Sequence, residues 1–458
     1  MNRTASTTVL VVGKDARTDA IADACRRSPQ EPELYGFADM RTPGLVQKCR
    51  EVFTGSLADV DRLVEIVGQI RPDLVIIGPE EPLSAGYADT LRAREIPVFG
   101  PSRRLAQIES SKSWARQLLE RHDIPGNPEY RLFDSTAGLE RYMEDLGSFV
   151  VKPDGLTAGK GVRVYGEHLH SIREALSYAE TVLRSDGKVQ IEERLEGEEF
   201  SMQTITDGES VIHCPLVQDH KRAFEGDRGP NTGGMGSYSC ADFSLPFLEA
   251  DEVYHAQSIT ERVINALATE TGEAYRGVLY GGFMATCDGV RLIEYNSRFG
   301  DPEAMNILPL LSADFVELCG AAAIGELARV DWSFERKATV CKYVVPSAYP
   351  GTSAAPERIT VPDSDTLPAD LKWYWAACRQ DAGDVFLTSS RSGAFVGIGE
   401  SLEEAEGIAE AAALDLEETN GGRVRHRSDI GRPEVIGRRV SHMKSVRGTP
   451  VHASASGN

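Results

Sequence analysis

Residues 277–306 read GVLYGGFMATCDGVRLIEYNSRFGDPEAMN. Two apolar runs flank Cys287-Asp288-Gly289, and an Asp-Gly pair between such runs is a strong hairpin signal. This commits the stretch to two antiparallel strands. On the returning strand, side chains alternate faces, so Glu294 and Asn296 point one way and Tyr295 the other. A carboxylate and an amide oxygen on one face are hard donors, of the kind Mg²⁺ takes together with phosphate and water oxygens. Arg298 follows, and an always-charged guanidinium beside such a pair suits a phosphoryl or acyl oxyanion. An ordinary hairpin with polar residues at its exit fits these residues as well. The outgoing strand, residues 277–286, holds no carboxylate, so protein ligation of a metal is expected from Glu294 and Asn296 only.

The first hundred residues alternate strand and helix patterns: strands at 7–13, 33–37, 73–78 and 96–100, helices at 16–27, 57–70 and 87–94. That alternation implies a parallel sheet covered on both faces, with ligands beyond the carboxyl ends of its strands. The loops there are 13–17, 39–44, 78–83 and 100–102. The first is not a dinucleotide fingerprint, because Asp15 and Thr18 stand where glycines belong. Arg17 and the following helix N-terminus either hold a phosphate or form a charged turn. Glu80 and Glu81 either receive sugar hydroxyls or are solvated acids between Pro79 and Pro82.

A helix is expected over 105–122, containing Lys112, then a linker at Pro125–Pro128. A second unit follows: strand 130–133, helix 135–146, and VVKPDGLTAGKGV from Val150 to Val162. A glycine-rich loop between strands, carrying Lys152 and Gly159-Lys160-Gly161, is a phosphate-covering flap: backbone N–H groups approach the phosphates and lysine supplies charge. It differs from the P-loop, which opens a helix. After a helix at 170–184 and a strand at 188–193, Glu192, Glu193 and Glu199 gather at a strand junction. They either serve a nucleotide's amine and ribose or form a solvated acidic corner. Residues 226–239, GDRGPNTGGMGSYS, exclude helix and regular strand by their glycines and Pro230. Bracketed by Asp219, Lys221 and Arg222, this loop can wrap a small anion. His220 is assigned no base role. Helices are expected at 256–270 and 309–327, then a β-rich unit from Lys337 with strands at 338–345, 357–361, 372–378, 385–389 and 394–398 and a closing helix at 402–418.

A net charge of −21 argues against nucleic-acid or anionic-membrane partners. No apolar run spans a bilayer and no signal peptide is visible, so a cytoplasmic protein is expected. Eight scattered cysteines without a C-x-x-C pair read as reduced structural thiols. The acid-rich, lysine-poor composition fits either a salt-adapted cytoplasm or simply an acidic protein from a GC-rich genome.

VVKPDGLTAGKGV, IEERLEGEEFS, QDHKRAFEGDRGPNTGGMGSYS and IEYNSRFGDPEAMN, in this order, resemble the phosphoribosylamine–glycine ligase family of ATP-grasp enzymes, in its archaeal branch. The resemblance extends to about Val446. It implies a mixed α/β and α+β multidomain ATP-grasp fold: a doubly wound domain at 1–108, a central ATP-grasp domain at 109–128 and 195–332, an inserted flap domain at 129–194, a β-rich domain at 333–446 and a disordered tail at 447–458. It implies ligation of glycine to 5-phosphoribosylamine through glycyl phosphate, with ATP as co-substrate and Mg²⁺ or Mn²⁺ as cofactor. Arg298, Lys152 and Lys160 would be catalytic. ATP would be held by Lys112, Lys152, Gly159, Lys160, Gly161, Glu192, Glu193, Leu195 and Glu199, and the metal by Glu294 and Asn296. The other substrates would meet Gly13, Arg17, Glu80, Asp219, Lys221, residues 230–236 (Pro230, Asn231, Thr232, Gly233, Gly234, Met235, Gly236), Arg298, Gly300 and Asp301. A monomer or weak homo-oligomer is expected. The first loop departs from the family, which carries more glycine followed by Arg-Glu. Asp15 there would repel a phosphate unless Lys14 or Arg17 compensates. An ATP-grasp ligase with a different amine acceptor and a non-catalytic nucleotide-binding regulator are the alternatives.

Overall fold

The computed structural model describes residues 6–155, 161–351 and 357–448. Its first unit is a five-stranded parallel sheet in the order Glu51–Thr54, Glu33–Ala38, Thr8–Val12, Leu74–Ile77, Val98–Phe99. The alternating side chains of its apolar strands divide between two cores. Val9, Val11, Leu34, Leu74 and Ile76 pack on one side with the helix Ala16–Arg26. Leu10, Val12, Tyr35, Phe37, Val75 and Ile77 pack on the other against the helix Val60–Ile70. Burial on both faces is why these strands are continuously apolar. The strand order reverses between Thr8–Val12 and Leu74–Ile77, so the crevice of this sheet opens at Gly13 and Gly78.

A second unit has its own core. Its antiparallel sheet runs Tyr130–Phe133, Val189–Glu193, Phe149–Pro153, Arg163–Val164, covered by the helices Leu139–Leu146 and Ile172–Asp186. A third antiparallel sheet, Val211–His213, Glu198–Thr206, Gly277–Thr286, Gly289–Asn296, carries the hairpin and packs on the helix Ala250–Thr271. The last sheet centres on Ala338–Pro346, flanked by Gly393–Gly399 and Leu371–Trp375, with the helix Leu402–Thr419 against it. Its other flank is made by Gly236–Ser239 and Gln218–Asp219, which come from the glycine-rich stretch. Among the described residues, no helix is long and apolar enough to cross a membrane.

Several elements differ from the sequence expectation. The stretch 226–239 holds two strands: Arg228–Asn231, an exposed hairpin arm that tolerates Pro230, and Gly236–Ser239, fully buried in the last sheet. Long-range pairing has overridden local composition there. The expected helix at 105–122 is two, Gln107–Ser110 and Lys112–Arg121, broken at Ser111. Ser111 is extended, its hydroxyl accepts from the Trp114 N–H at 3.2 Å, and the Lys112 N–H donates to the Asp154 carbonyl at 3.1 Å. A capping serine competes with the continuing helix in just this way. Pro309 lies in a 3₁₀ turn, Leu308–Leu310, and the helix after it begins only at Phe315, capped by Asp314. The loops 39–44 and 78–83 lead into short helices, Pro43–Lys48 and Glu80–Ala85, so Glu80 and Glu81 open a helix rather than sit in a rigid turn. In the expected strand 357–361 there is a single bridge, Arg358 to Phe386. A helix Pro433–Gly448 follows, and it takes in Arg447.

Candidate active site

The floor is the hairpin. Gly282 pairs with Glu294 but Phe283 pairs with Leu292, so Ile293 is an extra residue, a β-bulge. Val290 and Leu292 point into the core, and unbroken alternation would send Glu294 there too. The bulge shifts the phase: Tyr295 is buried against Phe283, while Glu294 and Asn296 share the half-open face. Among the described residues the Glu294 carboxylate has neither hydrogen bond nor ion pair, and no group of three His, Cys, Asp or Glu side chains forms a metal cage. Two oxygen donors, one of them an anion, fit an Mg²⁺ that keeps most of its shell for phosphate and water.

Arg298 lies next to this pair. Its Nε donates to Glu80 Oε2 at 3.2 Å, one terminal nitrogen meets Glu109 Oε1 at 2.7 Å, and Asn296 Oδ1 lies 3.5 Å away. Burial works against its charge, but Glu109 and Glu80 outweigh that and hold its pKa above the usual arginine range. Glu109 also accepts from the Ser297 N–H and hydroxyl, at 2.8 and 2.9 Å. Arg17 closes the same corner. It pairs with Asp15 and donates to the Phe299 carbonyl at 2.7 Å, with Glu80 3.9 Å away. Asp15 caps the helix Ala16–Arg26 by accepting from Thr18, at 2.9 Å to its N–H. Burial raises the Asp15 carboxyl, but Arg17 and the Thr18 bonds prevail and bring it down to about 2. Arg17 therefore compensates Asp15, while Lys14 is spent on Asp39.

Two lysines, Lys112 and Lys221, act on Glu294, and Lys152 lies behind Lys112. Lys112 opens its helix, donates to the Gly155 carbonyl at 2.8 Å and has Glu294 as its strongest charge partner. Lys221 pairs with Glu199 at 2.8 Å and feels Glu294 next. Lys152 meets Glu192 Oε2 at 2.5 Å, and Glu192 is also gripped by the buried Arg116. The Glu193 carboxylate accepts from the Glu129 N–H at 2.8 Å, and Leu195 is half-buried beside the junction. Gly161 is anchored by Tyr178, whose hydroxyl donates to its carbonyl at 2.6 Å. Gly159 and Lys160 lie outside the described residues.

The expected substrate loop divides. Thr232 donates to the Lys221 carbonyl through its N–H and hydroxyl, at 2.7 and 2.9 Å. Gly234, at φ +104, leaves room for Asp219: a Cβ there would lie 2.7 Å from Asp219 Oδ1 and 2.6 Å from Pro302. Among the described residues, that buried Oδ1 has no hydrogen-bond partner. Burial first, and the Glu303 carboxylate next, push the Asp219 pKa well above the ordinary carboxylate range. Gly300 donates its N–H to Gln203 at 2.8 Å. Met235 points into the core, Gly236 is bound into the last sheet, and Pro230 and Asn231 lie on the exposed arm. His220 is buried, with its side chain 3.6 Å from Asp227.

Arg391 and Tyr343, from the last sheet and its loop, were not legible as site residues. Arg391 binds Asp301 Oδ1 at 2.9 Å and the Gly234 carbonyl at 2.9 Å, and stacks 4.1 Å over the Tyr343 ring, whose hydroxyl reaches Asp301 at 2.5 Å. Glu109 and Arg116 were missed too. Glu109 stands three residues before the noted Lys112, a nearness that was the only available signal. A cavity of 380 Å³ between Thr7, Asp73 and the helix Phe315–Ile324 holds none of these residues.

Comparison with known proteins adds an independent line. Residues 7–109 match the family model for the phosphoribosylglycinamide synthetase N domain, and residues 110–304 that for its ATP-grasp (A) domain. The phosphoribosylamine–glycine ligase of Methanopyrus kandleri is 45% identical over 448 residues, covering 96% of this chain and 99% of that one. That of Methanocella arvoryzae is 42% identical over 440 residues, covering 96% and 100%. Among solved structures, the phosphoribosylamine–glycine ligase of Thermotoga maritima superposes with a TM-score of 0.74 at 25% identity, over 92% of this chain and 100% of that one. The biotin carboxylase domain of a Hydrogenobacter thermophilus 2-oxoglutarate carboxylase gives 0.69 at 14% identity, over 96% and 94%, a likeness of fold.

Proposed function

Since the chain belongs to the phosphoribosylglycinamide synthetase family, we propose that the pocket above Glu294 and Asn296 is where it couples ATP cleavage to the joining of glycine and 5-phosphoribosylamine. It is an ADP-forming ATP-grasp ligase of purine biosynthesis. Glycine's carboxylate is a poor electrophile. Its attack on the γ-phosphate gives glycyl phosphate, which the sugar amine then opens to glycinamide ribonucleotide and phosphate. Phosphoryl transfer asks for positioning and charge neutralisation more than for covalent chemistry from the protein.

The observation that carries this assignment of roles is the crowding of Lys112, Lys221 and Arg298 around the Glu294 carboxylate, which has no bonded partner among the described residues, and the Asn296 amide beside it. Glu294 and Asn296 would hold Mg²⁺ or Mn²⁺, which when bound neutralises charge on the phosphates. Lys112, Lys152 and the flap residues Gly159, Lys160 and Gly161 would bind phosphate oxygens, with Glu192, Glu193, Leu195 and Glu199 lining the nucleotide side. Arg298 stays charged between two carboxylates and would steady the transferring group. Asp219 and Lys221 would meet glycine. Arg17 and Glu80 would meet the phosphoribosyl part, and the Asp15–Arg17 pair leaves that acceptor tolerable despite the altered loop. Flap closure would keep water from glycyl phosphate.

Enzyme, ATP, Mg²⁺, glycine and freshly made phosphoribosylamine should release ADP only when glycine and the amine are both present. ADP release indifferent to glycine would refute the assignment, and release with glycine and some other amine would replace the acceptor. Full activity in Glu294→Ala would remove the metal role.

A further inference from the structure

We infer that Arg116 is a positioning residue that fixes the metal-binding strand end and the phosphate-facing Lys152 through one buried guanidinium. The inference rests on the metal and phosphate roles proposed above and goes beyond them, since Arg116 faces neither ligand. Arg116 is 3% exposed. Its Nε donates to Glu192 Oε1 at 2.7 Å and one terminal nitrogen to Oε2 at 3.2 Å, a two-point grip on the carboxylate. That nitrogen also donates to the Ile293 carbonyl at 2.7 Å. The other donates to the Leu292 carbonyl at 2.9 Å and to Asn127 Oδ1 at 3.4 Å. Every N–H of the fork is used.

The two carbonyls are those of the bulge. An extra residue in a strand is left without a ladder partner, and here the guanidinium supplies the missing donors. The bulge sets the phase that turns Glu294 and Asn296 out of the core. At its other end the same guanidinium holds Glu192, which takes Lys152 at 2.5 Å. A planar fork can bind a carboxylate and two carbonyls at once. An ammonium is a point charge on a flexible stem and cannot. Arg116→Lys thus keeps the charge against Glu192 but frees the bulge.

The test is calorimetric titration of ADP into the full-length wild type and Arg116→Lys, each with Mg²⁺ and with EDTA. The quantity read is the ratio of the two affinities, which a merely structural role would not move. Loss of an outer partner of a metal ligand commonly costs about tenfold or more in metal affinity, so the Mg²⁺ enhancement should fall by about that factor in the variant. Should Arg116→Lys not fold, Asn127→Ala serves. It removes the weakest contact of the fork and the bond from Asn127 to the Arg116 carbonyl, at 2.9 Å, and should lower the enhancement in the same direction by a smaller factor. A wild type without any Mg²⁺ effect overturns the metal reading and this inference together. A wild type with the effect and variants that keep it undiminished overturn this inference alone.

Discussion

Replacing Glu192 by glutamine keeps the shape of the side chain and removes its charge from between Arg116 and Lys152. Burial raises the Glu192 carboxyl, but Arg116 and then Lys152 outweigh it and bring the pKa down to about 2 from 4.5. The gap of roughly 2.5, at about 1.4 kcal/mol for each pH unit, corresponds to about 3 kcal/mol of folded-state stabilisation at neutral pH. The carboxylate is 4% exposed, so solvent screening takes little from that figure. A second route agrees: removing one partner of a buried ion pair costs about 3–5 kcal/mol. The sign follows from the depressed pKa. The contribution is complete above the unfolded value of 4.5 and is lost as pH falls towards 2. The stability difference between wild type and Glu192→Gln should therefore be about 3 kcal/mol near pH 7, narrowing by roughly 1.4 kcal/mol for each pH unit below 4.5. Urea unfolding, followed by tryptophan fluorescence and by far-ultraviolet circular dichroism, measures it where the two traces coincide. A difference that is absent near neutrality, or unchanged at about pH 3.5, would refute the reasoning.

Asp219 behaves in the opposite sense. Its carboxyl is raised by burial and then by Glu303, so wild-type stability declines as pH climbs above the unfolded value of 3.8, where the unfolded chain loses this proton and the fold still holds it. Asp219→Asn should have a higher thermal midpoint than wild type at neutral pH while losing glycine-dependent ADP release; an unchanged midpoint would count against it. Gly234→Ala must seat a Cβ 2.6 Å from Pro302 at φ +104, and should raise the KM for glycine or fail to yield soluble protein. Ser111→Ala removes the cap of the helix that begins at Lys112 and should cost about 1 kcal/mol by denaturant titration. EDTA should leave the thermal midpoint of nucleotide-free protein in place and reduce the upward shift that ADP produces, because the metal's shell needs phosphate oxygens.

The legible part of this molecule is the local part. Glu294 and Asn296 are two residues apart on a strand announced by its own turn, so their common face follows from pleat geometry. The alternating first unit and the flap strands are equally local. What sequence periodicity could not supply is pairing over distance. The carbonyls at the Ile293 bulge are met by Arg116, which also reaches Glu192, 76 residues further along than itself. Strict alternation gives the right direction for Glu294 relative to Tyr295, but carried back to the buried Leu292 it would place Glu294 in the core. Gly236–Ser239 looked too glycine-rich for a strand, yet Ala338–Pro346 pairs with it. Arg391 sits between two serines with nothing local to mark it, and only the fold brings it to Asp301. Glu192 was legible as a nucleotide-side acid; that its charge is consumed internally was not.

The two short strands that bracket the glycine-rich loop, Gln218–Asp219 and Gly236–Ser239, are hydrogen-bonded into the sheet built on Ala338–Pro346. The carboxy-terminal quarter is therefore not a removable cap. A chain cut near residue 333 would expose Gly236–Ser239 as a bare sheet edge, an open template for association with other chains. Exchange of that quarter between relatives would also replace part of the frame that holds the loop. Recombination that preserves ligand geometry has to carry residues 218–239 along with it, so the natural crossover points of this fold differ from those suggested by chain order.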